Sequence, residues 1–294
     1  KPRFMRYGYT GSGWVKEIQR SNLQYFVHPN KPNPACLVQG KDGRLWVFRT
    51  DGSNNLQTMY SDNFGSTWSA AVTIKSGLNT AVGTADAVAF SMNGDNYVGV
   101  GYAEEGAANS QYGFLIHRDG DADNLWSDES NQLTFFGAET ALNDICMSVD
   151  GSHQVYMFVR TSGGSPSDPR NTLYKRNTAG AWTAYRVNNI GDGPLWTSPA
   201  IAIDGENQML YLIGRNTVSA IVEYKAHRIG EESTLLTAPV DTLFASGADQ
   251  FATLSVPAGL LNSTTGLMAV SDNATADDLW FNLLTINPGT NLNI

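Results

Sequence analysis

The chain has 294 residues, a net charge of −9 at pH 7, 29 glycines and only 16% charged residues. The negative charge argues against nucleic acid or an anionic membrane surface as the main partner. No apolar run is long enough to span a bilayer, so no membrane insertion is expected. The chain begins at Lys1 rather than Met and shows no signal peptide, so we expect a processed or excised piece.

One turn pattern recurs along the chain and predicts its strands. Asp42-Gly43, Asn93-Gly94, Asp150-Gly151 and Asp204-Gly205 are typical of hairpin turns, and they return about every 50 residues. A short apolar strand is predicted before each turn, at Ala35–Val38, Ala87–Phe90, Ile145–Val149 and Ala200–Ile203. A second is predicted after each turn, at Leu45–Phe48, Tyr97–Val100, Val155–Val159 and Met209–Ile213. A looser fifth copy comprises Phe251–Val256 and Gly266–Val270.

A tryptophan recurs with the same period, at Trp14, Trp68, Trp126 and Trp182. The repeat is therefore strand A, turn, strand B, loop, strand C, a turn ending in tryptophan, and strand D. Four strands in about 50 residues is the size of one β-propeller blade. A two-sheet sandwich is the rival architecture, but it would not predict the regular return of one turn type. A helical fold is excluded because no stretch keeps a 3.6-residue apolar period.

We predict one all-β domain over residues 1–294, a single β-propeller of four-stranded blades. The repeat count favours five blades and leaves six open. The N-terminal segment is predicted to supply strands C and D of a blade, at Phe4–Tyr9 and Trp14–Gln19, and the C-terminal segment one more strand, at Leu279–Ile286. We expect these N- and C-terminal strands to pair in a shared last blade and so close the ring.

The turn Tyr60–Trp68 is the most specific motif of the sequence. Gly65 can take the positive φ that the turn needs, and the neighbouring short polar side chains can bond nearby backbone amides. Trp68 can fold back over the hairpin. The string resembles the Asp-box, or BNR repeat, of sialidase-like β-propellers, which is written Ser-x-Asp-x-Gly-x-Thr-Trp, with Asn63 at the Asp position. The motif predicts a structural turn rather than a catalytic group.

Cys36 and Cys146 each lie in a short apolar run, at similar positions of non-adjacent repeats. We therefore expect two buried thiols rather than a disulfide. No cluster of cysteine and histidine has the spacing of zinc ligands, and we expect no metal or other cofactor.

Polar residues collect where strand B ends and strand A begins, which in a propeller is one face. Strand B ends in arginine in three repeats, at Arg49, Arg160 and Arg215. Because a guanidinium is a rigid fork for a carboxylate or sulfate, this pattern predicts an anion-binding rim. The alternative is that these arginines are simply solvated residues at strand ends, without a ligand. The same rim is predicted to hold the other candidate site residues: Asp51, Asp86, Tyr102, Glu104, His28, Trp196 and Asp272.

The Asp-box and the blade-length repeat together resemble the sialidase superfamily. Sialidases carry an Arg-Ile-Pro motif on the first strand A, and the corresponding Pro32-Asn33-Pro34 lacks that arginine of the family's carboxylate-binding triad. The resemblance therefore implies a relative other than a standard sialidase. It extends to polysaccharide lyases, in which a cation neutralises a uronate and His or Tyr takes the C5 proton. A rim arginine would supply the cation, and His28 or Tyr102 the base.

We therefore expect extracellular recognition, and cleavage, of an acidic glycan by a sialidase-like glycoside hydrolase or a polysaccharide lyase. In the hydrolase version Asp51, Asp86 or Glu104 acts as acid or base while the arginines hold the anionic group. The main alternative is a non-catalytic carbohydrate- or receptor-binding propeller of the lectin, adhesin or phage-tail type, with Trp196 and Tyr102 stacked on sugar rings. A purely structural propeller is the third reading. The expected location is secreted, or on a virion or cell surface.

Overall fold

The computed structural model describes residues 4–11, 13–20, 36–51, 53–78, 82–104, 110–162, 169–188, 196–205, 207–216, 218–219, 221–244, 250–255, 267–273, 278–286 and 292–293. The chain divides into two compact units, Lys1–Ser130 and Asn131–Ile294, which are described in turn. The single domain over residues 1–294 stays a prediction.

The first unit consists of a two-stranded hairpin and two four-stranded sheets. Its hairpin pairs β1 (Phe4–Tyr9) with β2 (Trp14–Arg20). Sheet 1 contains β3 (Cys36–Gln39), β4 (Leu45–Thr50), β5 (Leu56–Ser61) and β6 (Val72–Lys75). Sheet 2 contains β7 (Val82–Met92), β8 (Asp95–Glu104), β9 (Gln111–Arg118) and β10 (Ser127–Asp128).

The second unit contains three four-stranded sheets. Sheet 3 is formed by β11 (Thr140–Val149), β12 (Val155–Ser162), β13 (Pro169–Arg176) and β14 (Trp182–Asn188). Sheet 4 is formed by β15 (Trp196–Asp204), β16 (Met209–Asn216), β17 (Val222–Arg228) and β18 (Asp241–Phe244). Sheet 5 is formed by β19 (Gln250–Ser255), β20 (Leu267–Asn273), β21 (Asp278–Ile286) and β22 (Leu292–Asn293). Two short 3₁₀ helices occupy Ser130–Gln132 and Glu232–Thr237.

Every four-stranded sheet is an antiparallel meander in chain order, which confirms the predicted four-stranded repeat. The predicted A and B strands are the first and second strands of the five sheets. We call the sheet end where the second strand ends and the third begins the rim end, and the opposite end the turn end.

At the two chain ends the pairing differs from the expectation. β1 and β2 pair with each other, as predicted for strands C and D, but sheet 5 takes its fourth strand from Leu292–Asn293 rather than from the N-terminal segment. No described sheet combines N- and C-terminal strands.

Two of the predicted turns, Asn93-Gly94 and Asp150-Gly151, differ in structure. Asn93 and Gly94 have φ of 54° and 87° between paired Met92 and Asp95, so they form the expected two-residue turn. Asp150-Gly151 instead opens a longer turn, in which Asp150 N–H donates to Gln154 O at 3.1 Å and His153 takes φ of 63°. The Asp150 carboxylate accepts the N–H groups of Ser152 and Gln154, both at 2.9 Å. This aspartate therefore holds the reversal.

Aromatic and branched side chains fill the space between neighbouring sheets in each unit. In the first unit Trp46 and Phe48 of sheet 1 pack with Val98, Val100 and Tyr102 of sheet 2. In the second unit Tyr156, Phe158 and Leu173 of sheet 3 pack with Trp196 and Leu212 of sheet 4. The two cysteines remain thiols, and both are partly exposed rather than fully buried as expected, because Cys36 and Cys146 lie at the margins of these clusters.

Two mid-strand glycines make room for an aromatic side chain. Gly113 lies directly opposite Tyr102, and a Cβ at position 113 would come within 2.0 Å of the Tyr102 ring. A Cβ at Gly214 would lie 2.5 Å from the Trp196 side chain. Real Cβ atoms do not approach so closely, so any side chain at either position would displace the buried ring.

The Tyr60–Trp68 turn has the structure that its sequence predicts. Asn63 Oδ1 accepts the Thr67 N–H at 2.8 Å, and its amide donates to Thr67 Oγ1 at 2.8 Å. Ser61 Oγ accepts the Gly65 N–H at 2.8 Å. Gly65 has φ of 83°, and Trp68 packs on Val47 and Met59. The motif locks the turn end of sheet 1.

Replacing Asn63 by alanine should therefore lower the free energy of unfolding by about 1 kcal/mol, because the Thr67 N–H loses its acceptor. The Asn63→Asp variant keeps that acceptor and should stay within about 0.5 kcal/mol of the parent protein. Urea unfolding followed by tryptophan fluorescence measures both values. Equal losses in the two variants would contradict a turn-locking role for the side-chain oxygen.

Candidate functional site

Arg49 and Asp51 meet at the rim end of sheet 1. Arg49 Nη2 donates to Gln57 Oε1 at 2.6 Å on the neighbouring strand. The Asp51 carboxylate accepts the N–H groups of Ser53 and Asn55 at 2.8 and 2.9 Å, and Gln57 Nε2 at 3.0 Å. Burial alone would raise the pKa of Asp51, but hydrogen bonds from Asn55 and Ser53 and the nearby Arg49 lower it. Asp51 thus holds a reversal as Asp150 does, and its ionised state does not suit a general acid.

Sheet 2 carries a cluster of titratable groups at its rim end. Tyr102 and Glu104 are completely buried near the end of β8. Above them Lys75 Nζ contacts Asp128 Oδ2 at 2.5 Å, and both of these side chains remain partly exposed. Ser130 joins the two layers, because its N–H donates to Asp128 Oδ1 at 2.9 Å and its Oγ lies 3.4 Å from the Tyr102 hydroxyl. We call these five residues the Lys75–Asp128 cluster.

The charged groups of this cluster shift one another's pKa values. Burial, opposed by Ser130 and Lys75, raises the pKa of the Tyr102 phenol. The hydrogen bond to Asp128 raises the pKa of Lys75. Burial would raise the pKa of Asp128, but Lys75 and Ser130 lower it. At neutral pH the cluster therefore contains an ammonium, an ionised aspartate and a protonated phenol. Such a phenol is a better proton donor than base.

Asp86 lies in β7, where its Oδ1 accepts the Ala87 N–H at 2.8 Å. Its negative charge, after burial, raises the pKa of the Cys36 thiol, so Asp86 lies near sheet 1. The carboxylate is half-buried.

Sheet 3 has charged groups on both of its faces at the rim end. Arg160 Nη1 contacts Asp144 Oδ2 at 3.2 Å. Thr161, the next residue, points to the opposite face, and its hydroxyl donates to Glu139 Oε2 at 3.0 Å. Glu139 also accepts Arg170 Nη1 at 3.0 Å and the Arg186 guanidinium. The Glu139 side chain is only 1% exposed, so two arginines and one threonine solvate a buried carboxylate.

Sheet 4 uses its rim end to hold a tryptophan. Trp196 is completely buried, and its Nε1 donates to Glu223 Oε2 at 2.8 Å. Asn216 Nδ2 donates to the other oxygen of Glu223 at 3.1 Å. A buried indole cannot stack on a sugar, so this conformation gives Trp196 a place in the core. Arg215 is half-buried one residue before the end of β16, opposite Thr197 and Val222.

The remaining two candidates are less fully described. Asp272 lies in β20, where its backbone pairs with Gln250 and Leu279. His28 lies outside the described residues. The three predicted arginines hold equivalent places near the ends of second strands, with Arg49 in the first unit and Arg160 and Arg215 in the second. Their convergence on one anion stays a prediction.

Sequence reasoning missed several charged residues that the structure brings to rim ends. Lys75 and Asp128 end the fourth strands of their sheets, Arg186 lies near the end of another, and Arg170 and Glu223 follow the starts of third strands. The prediction considered only the ends of second strands and the starts of first strands. The repeat phase itself was the signal that could have found the others, because all four strand positions reach this end of a blade.

Within the described ranges, no group of three or more His, Cys, Asp or Glu side chains is placed to hold a metal ion. Over the same ranges, the structure contains no helix with the length and apolarity that crossing a membrane requires.

Comparison with solved structures identifies the architecture. The α-L-arabinofuranosidase of Fusarium graminearum superposes with a TM-score of 0.52 at 11% identity, over 87% of this chain and 81% of that one. The α-L-arabinanase of Penicillium chrysogenum superposes with a TM-score of 0.52 at 11% sequence identity, over 89% of this chain and 82% of that one. An ulvan lyase from a new polysaccharide lyase family superposes with a TM-score of 0.55 at 11% sequence identity, over 87% of this chain and 64% of that one.

The chain has a β-propeller fold. The five four-stranded meanders and the propeller neighbours agree on this, which confirms the predicted fold class. No protein-family model matches the sequence, and no curated protein does so either. The similarity to solved structures at 11% identity establishes the fold alone.

The buried carboxylate of sheet 3 should matter more for stability than the half-buried Arg160–Asp144 ion pair on the other face. Glu139→Gln leaves two partly buried arginines without their counter-charge, and we expect a loss of about 2 kcal/mol in the free energy of unfolding. The matched control is Asp144→Asn, whose partner Arg160 is similarly exposed, and its loss should be below about 1 kcal/mol. Urea denaturation of both variants measures the difference. A larger loss for Asp144→Asn would refute the ranking.

Proposed function

We propose that the protein is a carbohydrate-active β-propeller enzyme that cleaves a glycan at its rim ends. The main observation in its support is that arginines, carboxylates, a lysine and a tyrosine lie at the rim ends of four successive sheets. The glycan-acting neighbours of the same fold, an arabinofuranosidase, an arabinanase and an ulvan lyase, support this class of reaction. The secreted location that the sequence predicts is part of this proposal.

The substrate is proposed to be acidic because of the charges at this end of the sheets. Arg49, Arg160 and Arg215 occupy equivalent places in three blades, in a chain whose net charge is −9. Arginines that recur at one position of the repeat in an acidic protein can bind a ligand that carries a carboxylate or a sulfate. Arg160 is partly neutralised by Asp144, so an anion would compete with this carboxylate for the guanidinium.

The Lys75–Asp128 cluster offers the best-described acid–base chemistry. Hydrolysis of a glycosidic bond needs one carboxyl group as acid and a second carboxylate as base or nucleophile. Asp128 is exposed and ionised, which suits the second role. Glu104 or Asp86 would be the acid, although Glu104 needs an opening to reach a substrate, because it is buried. Asp272 remains a candidate for binding sugar hydroxyls.

A lyase would use the same cluster differently. Lys75 or a rim arginine would neutralise a uronate carboxylate, and His28 or Tyr102 would remove the proton beside it. The raised pKa of Tyr102 disfavours its use as a base, which leaves His28 as the proposed base of a lyase.

A non-catalytic carbohydrate-binding propeller is the second candidate function. The burial of Tyr102 and Glu104 favours it, because these two candidate catalytic residues cannot contact a glycan in this conformation. Since Trp196 is buried as well, the sugar contacts would come from the polar side chains of the rim ends rather than from Tyr102 and Trp196. Binding without product formation is the signature of this alternative.

Incubation with neutral, uronate-containing, sialylated and sulfated glycans, followed by product analysis, tests the proposal. A lyase product absorbs in the ultraviolet because elimination leaves a C=C bond, whereas a hydrolase product gains only a reducing end. With an active substrate, Asp128→Asn should lower kcat by about 100-fold. Arg160→Ala and Arg215→Ala should each raise KM by about 10-fold, through loss of a charged hydrogen bond.

Arg118→Ala is the matched control, because Arg118 is an exposed, paired arginine at the turn end of sheet 2. Its kinetics should equal those of the parent protein. Absence of product on every glycan would exclude the enzymatic reading, and unchanged KM values in both rim variants would exclude the arginine clamp.

A further inference from the structure

A lysine of sheet 1 and an aspartate of sheet 2 meet at the rim ends of their sheets. Lys75 is the last residue of β6 and Asp128 is the last residue of β10, and Lys75 Nζ lies 2.5 Å from Asp128 Oδ2. The contact therefore joins the fourth strands of two sheets, between residues that are 53 positions apart in the chain. The Lys75 side chain is 29% exposed and the Asp128 side chain is 39% exposed, so a ligand can reach both groups.

The Asp128 carboxylate has a fixed place on sheet 2. Its Oδ1 accepts the Ser130 N–H at 2.9 Å, while its Oδ2 accepts the Lys75 ammonium. Ser130 is itself held by β9, because its Oγ accepts the Phe114 N–H at 3.1 Å. The Glu129 N–H donates to Phe114 O at 2.9 Å and fixes the same segment. Donors from two sheets thus orient both carboxylate oxygens, and little rotamer freedom remains to be lost when a substrate binds.

Lys75 faces three groups that can carry a negative charge. Its hydrogen bond to Asp128 raises the pKa of Lys75 most, and the nearby Tyr102 and Glu104 of β8 raise it further. Burial would raise the pKa of Asp128, but the hydrogen bonds from Lys75 and Ser130 lower it. The lysine therefore stays charged and keeps the exposed carboxylate ionised above the buried Tyr102 and Glu104. An ammonium has no lone pair, so Lys75 cannot be the base itself.

We propose that Lys75 and Ser130 are positioning residues for Asp128, which they hold ionised and oriented as the base or nucleophile of glycan cleavage. Lys75 acts through this carboxylate rather than on the substrate, because Asp128 already balances its charge. The proposal rests on the proposed enzymatic function and adds to it the residues that prepare its carboxylate. It also removes Lys75 from the uronate-neutralising role that a lyase would give it, and assigns recognition of an acidic sugar to the rim arginines.

Steady-state kinetics of the whole chain, on a glycan that the parent protein cleaves, tests this role. Lys75→Gln should lower kcat about 10-fold and leave KM within about 2-fold, because the base is disturbed and substrate binding is not. Without the ammonium the pKa of Asp128 rises, so the acidic limb of the kcat/KM profile should move to higher pH. Lys75→Arg keeps the charge and should restore the parent profile. Ser130→Ala keeps the N–H donor but loses the Oγ anchor, and its kcat should fall about 5-fold.

Carbodiimide labelling measures the state of Asp128 without a substrate. A carbodiimide and an added amine convert a protonated carboxyl group to an amide, and peptide mass spectrometry reads the extent at Asp128 as a function of pH. In Lys75→Gln the labelling should extend to higher pH than in the parent protein. The matched control is Lys41→Gln, an exposed lysine at the turn end of sheet 1, which should equal the parent in labelling and kinetics. Since a partly exposed ion pair adds little stability, Lys75→Gln should keep the parent Tm.

The outcomes separate the positioning role from the catalytic proposal. Absence of product from the parent protein on every glycan overturns the enzyme, and the labelling then decides by itself whether Lys75 controls Asp128. Unchanged labelling in Lys75→Gln overturns the positioning role even if the enzyme is active. A KM that rises about 10-fold at unchanged kcat also overturns it, because that pattern marks a lysine that binds the substrate. A lower kcat and shifted labelling, both restored in Lys75→Arg, support it.

Discussion

Several reversals of the described chain depend on a short polar side chain whose oxygen accepts backbone N–H groups. Asp150 does this in sheet 3, and Asp51 repeats the pattern at the rim end of sheet 1. Asn177 accepts two N–H groups in the same way before β14. A slip of one residue in a strand would turn its apolar face to solvent. By fixing where each strand turns, these acceptors fix the register, and the register determines which residues reach the rim ends.

The rim ends are organised by buried acids more than by the arginines that mark them in the sequence. Glu139 holds two arginines and a threonine, and Glu223 holds the indole of Trp196 and the amide of Asn216. A carboxylate removed from water needs several donors to offset its desolvation. These acids therefore impose geometry on every side chain that solvates them. The Lys75–Asp128 pair has the opposite character, since both of its charges remain in contact with water.

Local pattern predicted the strands, their order and the turn at Tyr60–Trp68, because these features depend on residues that are close in sequence. The same pattern placed arginines near the ends of three second strands. It could not reveal that the Asp51 carboxylate accepts the hydrogen bonds of its own turn, since an aspartate that stabilises a turn and a catalytic aspartate look alike in sequence. Nor could it find Glu139 with Arg170, or Trp196 with Glu223, which are 31 and 27 residues apart. Burial of Trp196 depends on packing between sheets, which one strand does not encode.

The glycines that face Tyr102 and Trp196 have a consequence for how such a chain diverges. Position 113 accepts only a hydrogen while position 102 carries a large ring, so the two sites form one volume shared between neighbouring strands. A change at either site alone costs a void or a collision, whereas a paired exchange keeps the volume. Selection on such a fold therefore acts on the pair, and neither position is free to change alone.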